Sequence, residues 1–131
     1  MSTLTLKRLR FCREADSWLR VLKSRTRVTP NILCRIGYAL SLDEPGIPNP
    51  DAYPEDSDRE PLHRYTLLGE HDATSVALLR QRVCDDGIAG DHDLDAQFRA
   101  HMNRGVILLA ARVKSLPDLL AELARPRAGA E

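Results

Sequence analysis

Three consecutive polar residues, Glu70, His71 and Asp72, form a group of acid, base or metal-ligating side chains. Carboxylates and an imidazole can transfer protons or hold a divalent cation, so a metal-dependent nickase is one function that the group allows. Adjacent helical residues point in different directions, and the three would need His92 or His101 to converge on one ion. Glu70 and Asp72 also suit the start of a helix, as a cap and as partners of the helix dipole. We therefore expect helix capping, and we predict no catalytic residue and no metal site.

Phosphate binding is the second chemistry that the sequence allows. Residues 1–42 hold nine basic residues against two acidic ones, a net charge of +7, whereas residues 43–60 carry a net charge of −6. Because the whole chain has a formal net charge of zero, this asymmetry indicates an anionic partner for the first third, nucleic acid before a membrane surface. Sixteen of the nineteen basic residues are arginines, whose planar guanidinium can bind phosphate through two hydrogen bonds. The candidate DNA-binding residues are Lys7, Arg8, Arg10, Arg13, Arg20, Lys23, Arg25, Arg27 and Arg35.

A helix over residues 29–42 is the element around which the chain is organised. Thr29 is a suitable N-cap and Pro30 suits the first turn, where its missing N–H costs nothing. Its apolar stripe is formed by Ile32, Leu33, Ile36, Ala39 and Leu40. Arg35 is its one full charge between Pro30 and Leu42, and a helix so sparsely charged is expected to be buried on more than one side. One of those neighbours could be another subunit.

The remaining elements predict a mainly α protein, a compact bundle of about five helices with a short N-terminal strand. The strand is expected over residues 4–11, and further helices from Arg13, over 72–86, over 93–114, and from Ser115 to Pro126. Gly105 in the longest helix permits a close helix crossing. The order of basic strand, helix and Thr-Pro-capped helix is also similar to a ribbon-helix-helix regulator, in which Arg8 and Arg10 would read bases from strands paired between two subunits.

An acidic loop occupies residues 43–61, with five prolines and almost no apolar side chains. We expect a solvated linker between two helical halves; the alternative is a segment that folds back over the basic surface or faces a basic partner. At 131 residues the chain is expected to form a single domain over 1–131. No apolar run approaches the ~20 residues that span a bilayer, and residues 1–8 lack the apolar core of a signal peptide, so we expect a cytoplasmic protein.

Four segments resemble the corresponding segments of the DndE family: residues 29–37 (TPNILCRIG), 64–72 (RYTLLGEHD), 97–105 (QFRAHMNRG) and 112–116 (RVKSL). The resemblance runs from near Leu9 to near Leu123 and leaves the acidic loop and the last few residues unmatched. DndE is encoded with the bacterial DNA phosphorothioation system, which replaces a non-bridging phosphate oxygen with sulfur. The resemblance implies a compact, mainly helical homotetramer that binds DNA and prefers a nicked duplex.

The resemblance also implies partner proteins, namely the cysteine desulfurase, the iron–sulfur protein and the ATPase of the same pathway. This chain has neither a G-x-x-x-x-G-K phosphate loop nor a cluster of cysteines, which agrees with nucleotide and iron–sulfur chemistry being carried out by those partners. We therefore expect no cofactor and no enzymatic activity, and a DNA-binding component of the modification system. In such a pathway Cys34 invites a sulfur-carrier hypothesis, but cysteine is also among the most buried residue types, and we expect burial.

Overall fold

The computed structural model describes residues 4–88 and 94–126. Its helices are α1 (Arg13–Thr26), α2 (Pro30–Asp43), α3 (Arg64–Leu68), α4 (Asp72–Asp85), α5 (Leu94–Arg112) and α6 (Leu116–Ala124), with 3-10 turns at Pro50–Ala52 and Gly69–His71. Five of these helices have nine or more residues, and α3 has five, so the predicted mainly α bundle is confirmed. None of the described helices is long and apolar enough to cross a membrane.

The N-terminal strand is present but shorter than predicted. Strand β1 (Arg8–Leu9) pairs antiparallel with β2 (Leu62–His63), with Arg8 opposite His63 and Leu9 opposite Leu62. Only two residues, Arg8 and Leu9, pair with another strand, instead of the predicted strand over residues 4–11. Its partner lies in the same chain, unlike the strands of a ribbon-helix-helix, which pair between subunits.

The core is built where α2 packs against α5. Gly37 on α2 faces Gly105 on α5 so closely that an added Cβ on Gly37 would lie 2.7 Å from the Gly105 carbonyl carbon. Beside this crossing the rings of Tyr38 and Phe98 lie 5.3 Å apart, centroid to centroid, in a tilted arrangement. The sequence predicted the close crossing from Gly105 alone, and the structure supplies Gly37 as its partner.

The crossing at Gly37 also corrects the predicted inner face of α2. Leu33 and Leu40 are buried as expected, but Ile32 is 43% exposed and Ala39 is exposed. The buried face is instead Leu33, Cys34, Gly37, Tyr38, Leu40 and Ser41. Because the two helices can approach only through their glycines, the glycine face and not the richest apolar stripe turns toward α5. Thr29 occupies the N-cap position, but its side chain makes no capping hydrogen bond.

Two arginines from other helices cap the C-terminus of α2. Arg82 on α4 donates to the Leu42 carbonyl oxygen at 2.7 Å, and Arg104 on α5 donates to the Ser41 carbonyl oxygen at 2.7 Å. Both also donate to the carbonyl oxygen of Gly46, at 2.6 and 2.8 Å. Cations suit this end of a helix because its carbonyls are unpaired, so the pair fixes the entry to the acidic loop.

Candidate nucleic-acid interface

The nine predicted DNA-binding residues divide into two groups by what their side chains contact. The side chains of five of them are exposed and form no hydrogen bond or ion pair among the described residues: Lys7, Arg8, Arg13, Lys23 and Arg27. Arg20 is 61% exposed at its side chain and forms an ion pair with Asp16 at 3.2 Å. These six charges remain available to an external anion.

The other three arginines hold the fold together. Arg10 donates to the carbonyl oxygens of Ser57 at 2.7 Å and Arg59 at 2.9 Å, which lie in the acidic loop. Arg25 donates to the Val113 carbonyl oxygen at 3.1 Å, and its guanidinium lies 5.8 Å from the ring centroid of Trp18.

Arg35 caps a helix instead of facing solvent freely. Its Nε donates to the Leu67 carbonyl oxygen at 2.6 Å, at the end of α3. A guanidinium already bonded to carbonyl oxygens has fewer N–H groups left for phosphate. Arg10, Arg25 and Arg35 therefore have structural contacts that the sequence did not indicate.

The exposed face of α1 presents a basic ridge, which we define as Arg13, Arg20, Lys23 and Arg27. Arg13 and Arg20 lie seven residues apart, two helical turns, and the exposed residues Ser17 and Ser24 lie between and beyond them on the same side. Arg27 follows as the C-cap, with φ 63°. The 14 residues of α1 span about 21 Å, the axial length of about six base pairs of duplex DNA.

The acidic loop folds back against the first turn of α1. The Ser57 backbone N–H donates to the Phe11 carbonyl oxygen at 3.1 Å, and the Arg13 backbone N–H donates to Asp56 Oδ1 at 2.7 Å. Arg59 forms an ion pair with Asp16 at 2.5 Å. The expected solvated linker is therefore wrong, because these contacts pack the loop against α1.

Asp16 is the anchor of that contact. Burial alone would raise the pKa of this carboxyl, but hydrogen bonds from Arg59 and Ser57 outweigh the burial and hold the pKa below its usual value. Ser57 Oγ donates to Asp16 Oδ2 at 2.9 Å. The side chain of Asp16 is thus ionised and holds the loop against the flank of the basic ridge.

The Glu70, His71 and Asp72 group does not converge. The Asp72 carboxylate is held by Arg64 through two hydrogen bonds of 2.6 and 2.8 Å, which lower the pKa of Asp72. Glu70 and His71 are exposed, and no side chain makes a capping hydrogen bond at the start of α4, so the expected cap is not formed. Asp72 nevertheless lies in the first turn, where its charge suits the helix dipole.

No candidate metal site replaces that group within residues 4–88 and 94–126, where no three His, Cys, Asp or Glu residues are arranged to hold an ion. His101 is fully buried and its Nδ1 lies 2.8 Å from Ser41 Oγ. Burial, followed by the charges of Arg104 and Arg82, lowers the pKa of His101 to about 3. His92 lies outside the described residues.

Cys34 is buried, as the sequence predicted. Its side chain has no exposed surface, and this burial raises the pKa of the thiol to about 12. The neighbouring charges of Arg59 and Arg35 favour the thiolate but do not overcome the burial. Since the thiolate is the reactive form, Cys34 is poorly placed to accept or transfer sulfur in this conformation.

A cleft beside β2 was not predicted. It has a volume of about 280 Å³ and is lined by Leu6, Lys7, His63, Arg64, Tyr65, Gly69 and Asp72. Tyr65 is 83% exposed, the largest value among the exposed large hydrophobic side chains of the described chain. The run His63-Arg64-Tyr65, an aromatic residue beside an arginine and a histidine, is the sequence signal that could have indicated it.

Comparison with known proteins identifies the family. The family model described as "DNA sulphur modification protein DndE" matches residues 8–116. No curated protein gives a significant match. Among solved structures, the chain is similar to DndE from Escherichia coli B7A, involved in DNA phosphorothioation modification, with a TM-score of 0.64 and 24% identity over 82% of this chain and 99% of that one. A glycine-to-lysine mutant of DndE involved in DNA phosphorothioation gives a TM-score of 0.63 and 22% identity, with the same coverage.

Proposed function

Since this chain belongs to the DndE family of DNA sulphur modification proteins, we propose that it binds the DNA of the phosphorothioation system, without catalysing a reaction itself. The observation that carries the proposal is the basic ridge of α1. Arg13, Lys23 and Arg27 are exposed there and form no side-chain hydrogen bond among the described residues. Side chains that stabilise no other part of the described fold are available to neutralise phosphates.

The expected contacts are with the sugar-phosphate backbone. Phosphate contacts position a protein on a duplex without reading its sequence, so only a weak sequence preference follows. A preference for nicked duplex follows if the break lowers the cost of bending the DNA onto the ridge. If a duplex bent in advance were bound no better than a straight one, this explanation of nick preference would be wrong.

A homotetramer would multiply each weak site, because linked sites raise the effective concentration of the second contact. Exposed apolar side chains support self-association: Leu78 on α4 is 52% exposed and Leu123 on α6 is 48% exposed. Two shallow grooves on this side share Ala39 of α2 as a lining residue. Light scattering of the wild type and of Leu78→Lys and Leu123→Lys variants tests this assembly, and unchanged mass in both variants would place the interface elsewhere.

The partners expected in the pathway are the cysteine desulfurase, the iron–sulfur protein and the ATPase, which would supply the sulfur and nucleotide chemistry. The burial of Cys34 supports that division, because a thiol with a pKa of about 12 is a poor nucleophile at neutral pH. The expected role of this chain is then to hold the DNA while others modify it.

The experiment that tests DNA binding is fluorescence anisotropy with matched intact, nicked and single-stranded DNA across a salt series, with Mg²⁺ present and a gel to detect cleavage. Nicked duplex should bind best, and its affinity should fall steeply with salt as counterions are released. Arg13→Gln should weaken binding and lower the salt slope by about one.

The matched control is Arg80→Gln, which removes the same charge from an exposed site on α4. Its affinity and salt slope should equal those of the wild type. Absence of binding to every DNA would overturn the proposal, and cleavage of the DNA would overturn the non-catalytic role and direct attention to Glu70, His71 and Asp72.

A further inference from the structure

The side chain of Tyr65 makes few contacts with the rest of the described fold. Its side chain is 83% exposed, and its hydroxyl has no hydrogen bond among the described residues. An aromatic ring so exposed contributes little hydrophobic burial to folding. Tyr65 is therefore available for an external contact through the face of its ring.

The cleft that Tyr65 borders is positively charged. Lys7 is exposed and has no ion pair among the described residues, while the one carboxylate in the lining, Asp72, is neutralised by Arg64. His63 adds an exposed ring that is able to donate or accept a hydrogen bond. The walls thus combine an aromatic surface, a free cation and a hydrogen-bonding ring.

Backbone contacts hold these walls in place. The Arg64 backbone N–H donates to the Lys7 carbonyl oxygen at 2.8 Å, and its guanidinium donates to the Leu4 carbonyl oxygen at 3.1 Å. The β1–β2 ladder adds the pairing of Arg8 with His63. Because the backbone of the cleft is held in place, ligand binding would order mainly the exposed side chains of Tyr65 and Lys7.

We propose that this cleft receives an unpaired nucleobase of a DNA strand end, stacked on Tyr65, with Lys7 on the adjoining phosphate. The volume of about 280 Å³ lies near the lower limit of small-ligand sites, and a duplex is far wider. Aromatic rings bind single-stranded nucleic acid by stacking on bases of any identity, and a nearby cation binds the backbone. The inference rests on the proposed function and specifies that the cleft beside Tyr65 binds an unpaired base at a strand end.

The cleft and the start of α1 lie close to each other along the chain, within a distance that one DNA molecule can span. Arg13 follows Lys7 by six positions, so their backbones lie at most about 20 Å apart, on the order of six base pairs. A base at a nick has lost one covalent neighbour and costs less to unstack than a base inside an intact duplex. Stacking on Tyr65 therefore adds affinity for nicked duplex and none for intact duplex.

The test uses a nicked duplex with 2-aminopurine as the terminal base at the nick, because this base becomes brighter or dimmer when its stacking changes. Wild type and Tyr65→Phe should alter its fluorescence and bind the nicked duplex equally well. Tyr65→Leu should abolish the fluorescence change and weaken nicked-duplex binding about tenfold, while intact-duplex affinity stays unchanged. Ile47→Ala, at another exposed apolar residue, serves as control and should behave as wild type.

The outcomes separate the two proposals. If wild type binds nicked DNA and Tyr65→Leu equals it in affinity and fluorescence, the cleft inference fails while DNA binding stands. If Tyr65→Phe is as weak as Tyr65→Leu, the hydroxyl and not stacking carries the contact, and the inference is wrong. If wild type binds no DNA at all, both proposals fail together.

Discussion

Gly37 and Gly105 meet backbone to backbone where α2 crosses α5. An added Cβ on Gly105 would lie 2.8 Å from the Tyr38 backbone nitrogen, closer than real side chains approach. Neither glycine has a positive φ, so the need for glycine here is one of space and not of backbone conformation. The relationship matters for the candidate interface because α2 joins α1, which carries the basic ridge, to the acidic loop.

Gly37→Ala should destabilise the protein. In a solvent-exposed helix, replacing glycine by alanine would add about 1 kcal/mol of stability. Here the added Cβ would instead push apart two helix backbones, which cannot move aside as a flexible side chain does. We expect a net loss of about 1–3 kcal/mol in the free energy of unfolding, measured by urea denaturation. Ala77→Gly on exposed α4 is the control for helix propensity alone and should cost about 1 kcal/mol. Stabilisation by Gly37→Ala would refute the close crossing.

Mild acid should destabilise the protein through His101. Its pKa is lowered from 6.5 to about 3 in the folded state, so the unfolded chain binds the proton first as the pH falls. Stability is complete above pH 6.5 and is lost progressively toward pH 3, by up to about 1.4 kcal/mol per pH unit. Asp16 and Asp72 have lowered pKa values, so the stability that they contribute is lost only below about pH 4, and pH 4.5–6.5 isolates the histidine.

Urea denaturation at several pH values between 4.5 and 7.5 measures this dependence. His101→Gln should flatten it, whereas His71→Gln, at an exposed ring, should leave it unchanged. A wild-type free energy of unfolding that is constant over this range would contradict a neutral, buried His101.

The helices were the predictable part of this structure. Pro30 marked the start of α2, and the predicted helix over 72–86 is α4 at Asp72–Asp85. Both elements follow from local signals, namely apolar spacing and residues that suit a first turn. The buried face of α2 was mispredicted because it depends on Gly37, whose partner is 68 residues away in the sequence.

The candidate site was predictable in composition but not in arrangement. The charge asymmetry indicated a basic segment, yet it gave no sign that Arg10 and Arg25 would donate to carbonyl oxygens of distant segments. The contact between Asp16 and Arg59 likewise joins residues 43 positions apart. Such pairings are set by the tertiary fold, which a one-dimensional charge count does not contain.

The three cysteines should differ in reactivity toward N-ethylmaleimide. Cys84 is exposed, whereas Cys12 and Cys34 are buried and burial raises both of their pKa values. Mass spectrometry of the native protein at neutral pH should find one rapid modification, at Cys84, and three after unfolding in urea. Cys84→Ser should remove the rapid modification. Rapid labelling of Cys34 in the native protein would reopen the sulfur-carrier hypothesis, as would loss of DNA modification in a Cys34→Ser strain.

The acidic loop should weaken DNA binding by its charge. Asp56 and Arg59 hold the loop against α1, so the exposed carboxylate of Asp58 lies between two fixed points beside the basic ridge. Removing that charge in Asp58→Asn should strengthen duplex binding about threefold at low salt, because the repulsion of phosphate by one surface charge is modest and screened. The control Asp85→Asn removes the same charge from α4 and should leave affinity unchanged. If both variants gain equally, the effect is one of net charge, and the loop has no special position beside the ridge.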